Sequence, residues 1–166
     1  MGSKEKLLPY IKSVVENFKF DSAADLFAGS GVVGYMFKTM GKRVFSNDYM
    51  AMSAMYGKAM IENSTIKLSE REIDRLFAPN SKADSFVQDT FQGLYYSDSD
   101  NAVIDLVRSN IRKISDPHKK AIALSALIRA CLKKRARGVF TYTGLRYDDG
   151  RADLVMSMEE QVRNAA

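Results

Sequence analysis

Glycines and an acid in the first third of the chain have the types and spacing of a nucleoside-binding loop. The stretch DLFAGSGVVG places Gly29, Gly31 and Gly34 directly behind a short apolar run that ends near Phe27. Glycine allows a turn to approach a ligand because no Cβ atom stands in the way. The later run KRVFSND ends on Asp48, whose carboxylate can accept hydrogen bonds from ribose hydroxyls. These residues predict that the loop and the acid together bind a nucleoside.

The elements around this loop predict one half of a doubly wound α/β sheet. SAADLF is typical of a short buried strand, GVVGYMFKTMG of a helix, and KRVFSND of a second strand. Strand, glycine turn, helix, strand and terminal acid is the order found in nucleoside-binding sheets. A P-loop is excluded because no Gly-Lys-Ser/Thr sequence follows the turn.

The glycines alone leave the class of ligand open. Gly29, Gly31 and Gly34 match the G-x-G-x-x-G pattern, so an NAD-dependent oxidoreductase stays an alternative, as does a structural turn without a ligand. Asp25 precedes the loop, where its charge would repel a pyrophosphate but would attract an ammonium group. The methionine end of S-adenosylmethionine carries such a group, and we predict this compound as the cofactor.

Three segments resemble adenine-specific DNA methyltransferases of the Dam-like and restriction-modification group. DLFAGSGVVG followed by VFSND resembles their cofactor motifs, and GSKEKLLPYI resembles the opening segment that folds over the cofactor. KKRARGVFTYTGLRYDDGRADLVMSMEEQ is similar to part of their target-recognition insertion. The resemblance implies part of a Rossmann-like S-adenosylmethionine-dependent sheet, followed by a mainly helical DNA-recognition insertion. It also implies methyl transfer to the exocyclic amine of adenine in double-stranded DNA.

The loop and the resemblance together predict the cofactor-binding residues. The resemblance implies that Tyr49 packs against the adenine ring and that Phe27 does so from the other side, with a core role as the alternative for Phe27. The opening Met-Gly-Ser also has the form of a cloning scar, so the origin of Gly2 and Ser3 stays open. The predicted set is Gly2, Ser3, Lys4, Asp25, Phe27, Ala28, Gly29, Ser30, Gly31, Asp48 and Tyr49.

Basic residues near the carboxyl end predict contacts with DNA. The formal net charge is +5, and KKRARG, from Lys133 to Gly138, has the cation density that drives counterion release from DNA. The alternative is a helix end whose cations compensate the helix dipole. TYTGLRYDDGR predicts a β-hairpin near 139–155, a shape that can enter a DNA groove. The predicted DNA-binding residues are Arg129, Lys133, Lys134, Arg135, Arg137, Arg146 and Arg151.

The pattern changes near residue 64, which divides the chain into a cofactor-binding part, 1–64, and a mainly helical target-recognition region, 65–166. Ser69 and Glu72 predict a capping box at the start of SEREIDRLF. NAVIDLVRSNIRKI predicts a helix capped by Asp98 or Asp100, and its apolar stripe is Val103, Leu106, Val107, Ile111 and Ile114. Asp116 is predicted to cap a long helix that ends at Gly138.

Composition excludes several other classes of protein. No run is apolar enough to predict a membrane span or a signal peptide. The single cysteine, Cys131, lies in an apolar helical stretch, which favours inert packing and a reducing, cytoplasmic compartment. We predict no metal ligands.

The chain departs from the family at the catalytic loop. DNA amino-methyltransferases hold the flipped base with a D-P-P-Y or N-P-P-Y loop. Here the three prolines, Pro9, Pro79 and Pro117, are all isolated. Because the loop follows the recognition insertion in relatives, we expect it beyond Ala166 or on a second polypeptide. We therefore predict no catalytic residue in this chain and no activity of the chain alone. A noncatalytic nucleoside- and DNA-binding module is the remaining alternative.

Overall fold

The computed structural model describes residues 4–134, 150 and 152–166. The chain divides into two compact units, Met1–Ile66 and Lys67–Ala166. Helices and a small parallel sheet are both present, which confirms the α/β character predicted from the sequence. None of the described helices combines the length and the apolar character that crossing a bilayer requires.

The first unit alternates helices and strands in the predicted order. A 3-10 turn, Glu5–Leu7, leads into α1, which has Pro9 in its first turn, where the missing N–H is tolerated. The strands end at Asp25 and Ser46, slightly before the predicted ends at Phe27 and Asp48. The elements are α1 (Leu8–Val15), β1 (Ser22–Asp25), α2 (Val32–Thr39), β2 (Arg43–Ser46), α3 (Ala51–Tyr56) and a π-helical turn (Gly57–Glu62).

The two strands pair in parallel, with Ser22 opposite Arg43 and Asp25 opposite Ser46. Helix α2 lies close to the sheet because Gly34 is buried and has no side chain. A Cβ atom at this position would lie 3.3 Å from the Ile61 Cδ1 atom and 3.5 Å from Val44 Cγ1. The third glycine of the motif therefore serves the packing of helix against strand.

The second unit is helical over its described residues. Its core is formed mainly by α6, α7 and α9, and includes Leu76, Val107, Ile111, Ala126, Leu127, Ala130, Met158 and Val162. Its elements are α4 (Glu70–Leu76), α5 (Phe86–Phe91), α6 (Asp98–Ile111), α7 (Pro117–Lys133), α8 (Ala152–Val155) and α9 (Met158–Ala165).

The helix caps follow the local sequence closely. The capping box of Ser69 and Glu72 is confirmed, with the Ser69 amide donating to Glu72 Oε2 at 3.0 Å. Asp116 caps α7 by accepting from the first amides of that helix. Ser97 caps α6 instead of Asp98 or Asp100, because the Ser97 hydroxyl accepts a hydrogen bond from the Asp100 amide in the first turn. The two aspartates lie in the first turn, where they favour the helix dipole.

Two predicted features near the carboxyl end differ from the structure. Helix α7 ends at Lys133, short of the predicted end at Gly138. Ala152–Val155 form α8, so the last part of the predicted hairpin near 139–155 is helical. Asp153 in that helix pairs with Lys133, and its carbonyl accepts from Gln161, which fixes this segment against its helical neighbours. The rest of the predicted hairpin, 139–149 and 151, lies outside the described residues.

Helix α6 buries polar side chains that bind the backbone of neighbouring segments. The carboxylate of Asp105, which is 1% exposed, accepts from the amides of Val87 and Gln88 at 3.0 Å. The amide of Asn110 donates to the carbonyls of Leu76 and Ala78, each at 2.9 Å. The predicted apolar stripe is therefore only part of the buried face, since Asp105 and Asn110 are buried with Val107 and Ile111.

Candidate functional site: a glycine loop closed by an acid

The loop after β1 is joined to the loop after β2 by backbone hydrogen bonds. The Asn47 amide donates to the Asp25 carbonyl at 2.9 Å, and the Ala28 amide donates to the Asn47 carbonyl at 3.0 Å. Gly29 and Gly31 have φ angles of 54° and 75°, a region that other residues enter only with strain. The sequence DLFAGSG can therefore turn sharply at the carboxyl ends of both strands, where α/β sheets bind ligands.

Asp48 holds the glycine loop in place. Its Oδ2 atom accepts from the Gly29 amide at 2.7 Å, and its Oδ1 atom accepts from the Met50 amide at 2.9 Å. The bond from the Met50 amide has the largest effect on the pKa of Asp48 and the bond from Gly29 the next largest. Both lower this pKa below its ordinary value. The carboxylate is therefore ionised at neutral pH, and each oxygen has a second lone pair for a ligand.

A concave surface lies beside Asp48. This cavity has a volume of about 420 Å³ and is lined in part by Phe45, Asn47, Ser53 and Ile61. Clefts of a few hundred Å³ with mixed apolar and polar walls are typical of small-molecule sites. Asp48 itself lines this cavity, whose other lining residues come from β2 and the adjoining Asn47, from α3 and from the π-helical turn, and not from the glycine loop.

Asp25 presents an acceptor that the described protein does not satisfy. Its Oδ2 atom is buried and has no hydrogen-bond partner among the described residues. The atom lies below α2, 3.7 Å from the position that a Cβ atom on Gly34 would take. Because a buried carboxylate oxygen needs a donor, this position fits the ammonium group predicted from the sequence.

The two aromatic residues of the predicted site are open to solvent. Phe27 is 81% exposed and Tyr49 is fully exposed. Phe27 therefore does not serve the core of the first unit, which was the alternative interpretation of this residue. Both rings are available to pack against a ligand.

The structure brings part of the predicted cofactor set together. Asp25, Ala28, Gly29, Gly31 and Asp48 meet at the ends of the two strands, with Ser30 between the glycines and half-buried. Lys4 is exposed ahead of the 3-10 turn, and no described hydrogen bond links its side chain to the loop. Gly2 and Ser3 lie outside the described residues.

Sequence reasoning missed Asn47 and Lys38. The side chain of Asn47 donates to the Leu26 carbonyl at 3.1 Å and so adds to the connection between the two loops. Lys38 donates to the carbonyls of Met60 and Asn63, which holds the end of the π-helical turn against α2. An asparagine directly before the strand-end acid was a usable signal, since Asn favours turns. The role of Lys38 had no local signal.

Part of the predicted DNA-binding set is already paired within the second unit. Lys133 Nζ lies 3.1 Å from Asp153 Oδ1, and Lys134 Nζ lies 3.3 Å from Asp100 Oδ2. The Lys134 side chain is only 14% exposed, which favours the interpretation of this lysine as part of a helix end. Arg129 is exposed on α7. Arg135, Arg137, Arg146 and Arg151 lie outside the described residues.

Comparison with known protein families identifies the chain. The model of the D12 class N6 adenine-specific DNA methyltransferases matches residues 1–144. The chain belongs to this family. The match includes the glycine loop and the Asp48 loop, so the resemblance found in DLFAGSGVVG and VFSND is confirmed.

Individual family members are similar over different lengths. The chain is 26% identical to the type II methyltransferase M2.HphI of Haemophilus parahaemolyticus over 143 residues, which is 85% of this chain and 41% of that protein. It is 28% identical to M.NlaIII of Neisseria lactamica over 124 residues, which is 68% of this chain and 37% of that protein. It is 45% identical to M.FokI of Planomicrobium okeanokoites over 69 residues, which is 40% of this chain and 10% of that protein. The chain thus spans less than half of each relative, and no solved structure matches it.

Proposed function

We propose that this chain binds S-adenosylmethionine at its glycine loop and double-stranded DNA through its helical unit, as part of an adenine-specific DNA methyltransferase. The observation that carries the proposal is the hydrogen bond from the Gly29 amide to Asp48, which holds the loop against the strand-end acid. The family match supports the reaction type, because members of this family methylate adenine in DNA.

Each residue of the proposed cofactor site has a specific role. Asp48 accepts hydrogen bonds from the ribose hydroxyls with the lone pairs that the loop amides leave unused. Asp25 accepts from the ammonium group through its unsatisfied Oδ2 atom. Phe27 and Tyr49 offer exposed rings to the adenine. When bound, S-adenosylmethionine supplies an electrophilic methyl group to the amine of the target base.

We propose a division of labour between the two parts of the chain. Residues 1–64 bind the cofactor, and residues 65–166 contribute to target recognition. No D-P-P-Y or N-P-P-Y sequence occurs in the 166 residues. We propose that the base-holding loop is supplied by further polypeptide, either continuous with this one or separate. We also propose a cytoplasmic location, because a free cysteine such as Cys131 stays reduced there and the DNA substrate is present.

Calorimetry of the purified chain tests the cofactor assignment. S-adenosylmethionine should bind, and Asp48→Ala should weaken its affinity by at least about tenfold, because bonds from the ribose to a charged acceptor are lost. Asp48→Asn keeps one acceptor oxygen and should give a smaller loss. Asp21→Asn is the matched control, since it removes an exposed carboxylate just before β1, at the other end of the strand.

Two results would contradict the assignment. Unchanged affinity in a folded Asp48→Ala variant would remove Asp48 from the site. Binding of NAD in place of S-adenosylmethionine would support the oxidoreductase alternative, because Gly29, Gly31 and Gly34 also match the dinucleotide-binding pattern. Circular dichroism of each variant establishes that the unit is folded.

A further inference from the structure

A cleft of about 550 Å³ opens in the second unit between α4 and the junction of α6 with α7. Its lining includes the apolar side chains of Leu76 and Ile114. Three cationic residues, Arg75, Lys113 and Lys119, also line it. None of these three belongs to the basic stretch that the sequence pattern singled out.

The walls of the cleft are fixed by polar contacts. Asn110 on α6 donates to the carbonyls of Leu76 and Ala78, which holds the end of α4 against α6. Lys119 on α7 lies 2.6 Å from Glu72 on α4. Because α4 is tied to both neighbouring helices, the cations around the cleft are held on a preformed surface.

The acids in the cleft are already engaged. Glu72 accepts from the Ser69 amide and hydroxyl as well as from Lys119. Asp116 accepts from the amides of His118 and Lys119 at the start of α7. Neither carboxylate forms an ion pair with the other two cations of the cleft among the described residues.

Arg75 and Lys113 therefore keep their charge for a ligand. Both are exposed, and among the described residues the Lys113 side chain donates only to the neutral side-chain oxygen of Asn110, at 3.2 Å. Arg75 has no ion-pair partner in the described part of the chain. Arg71, four residues earlier on the same face of α4, is also exposed and has no described acidic partner. Arg71, Arg75 and Lys113 are thus exposed cations in or beside the cleft that form no described ion pair.

We propose that this cleft binds backbone phosphates of double-stranded DNA, with Arg75 and Lys113 as the contact residues. The guanidinium and ammonium groups donate to phosphate oxygens, and the bound cations of the DNA are released. The inference rests on the proposed DNA-binding function of the second unit. It moves the main phosphate contact away from the carboxyl end of α7, where Lys133 and Lys134 are held by Asp153 and Asp100.

Salt-dependent binding of a short fluorescent duplex by the full chain tests this assignment. The double variant R75A/K113A should flatten the slope of log K against log salt by about 1.8, because each lost phosphate contact contributes about 0.9. K67A/K82A is the matched control, since it also removes two exposed positive charges from the same unit, and neither lysine lines the cleft. It should leave the slope within about 0.5 of wild type. R75K/K113R keeps both charges and should restore most of the wild-type slope.

The outcomes separate this inference from the proposed function. A wild-type slope in folded R75A/K113A would overturn the cleft assignment while leaving DNA binding intact. An equal or larger change in K67A/K82A would overturn it as well, because net charge would then account for binding. Failure of the wild-type chain to bind duplex at low salt would remove both the proposed DNA role and the cleft. Should R75A/K113A lose its circular dichroism signal, R75Q/K113Q replaces it under the same criteria.

Discussion

Replacing Asp105 with alanine should strongly destabilise the helical unit. The carboxylate is almost fully buried and accepts from the amides of Val87 and Gln88, so it caps α5 from the middle of α6. Arg108 lies 3.2 Å from the same carboxylate. Truncation leaves two amides at the start of α5 without this acceptor, and it removes one of the two acids beside Arg108.

The magnitude follows from these contacts. Hydrogen bonds to a charged group are worth about 1.5–3 kcal/mol each, and breaking a buried charged pair costs about 3–5 kcal/mol. Because Arg108 keeps its contact with Asp84, we expect a loss of about 3–4 kcal/mol in the free energy of unfolding. Asp105→Asn keeps one acceptor oxygen and should lose about half as much.

Urea unfolding followed by circular dichroism measures this loss. Asp89→Ala is the control, because Asp89 is an exposed acid on α5 whose one described side-chain hydrogen bond is accepted from the Ser85 hydroxyl. Its loss should stay below about 1 kcal/mol. A free energy of unfolding for Asp105→Ala within about 0.5 kcal/mol of wild type would refute the reasoning, since no buried cap would then have been lost.

Two further predictions concern pH and activity. The hydrogen bond from Lys119, followed by those from Ser69, lowers the pKa of Glu72 from 4.5 to about 2. The stability that Glu72 contributes should therefore be complete above about pH 4.5 and be lost as the pH falls through about 2. The difference in thermal midpoint between wild type and Glu72→Gln should shrink over that range, and a constant difference would contradict the assignment. The purified chain alone should transfer no tritiated methyl groups to DNA, because it lacks the loop that positions the base. Robust incorporation would show that the base is held by other residues.

The sequence alone was informative wherever the interaction is local. The Ser69–Glu72 capping box and the Asp116 cap join residues only two or three positions apart, so the residue types predict the bonds directly. The strand and helix order around DLFAGSGVVG follows from apolar spacing and from glycines that turn without strain. The same short motifs were sufficient to predict the family that the comparison then confirmed.

Tertiary structure decided the interactions between residues distant in the chain. Asp48 meets Gly29 across 19 positions and Asp105 meets Val87 across 18, and no periodic pattern encodes either bond. The apolar stripe predicted for α6 omitted the buried Asp105, because an amphipathic pattern treats every acid as solvated. Likewise, composition cannot show that Lys134 is neutralised by Asp100, while Arg75 remains exposed beside a cleft. The charge available to a ligand depends on which acids the fold places beside each cation, and only the packed chain determines that.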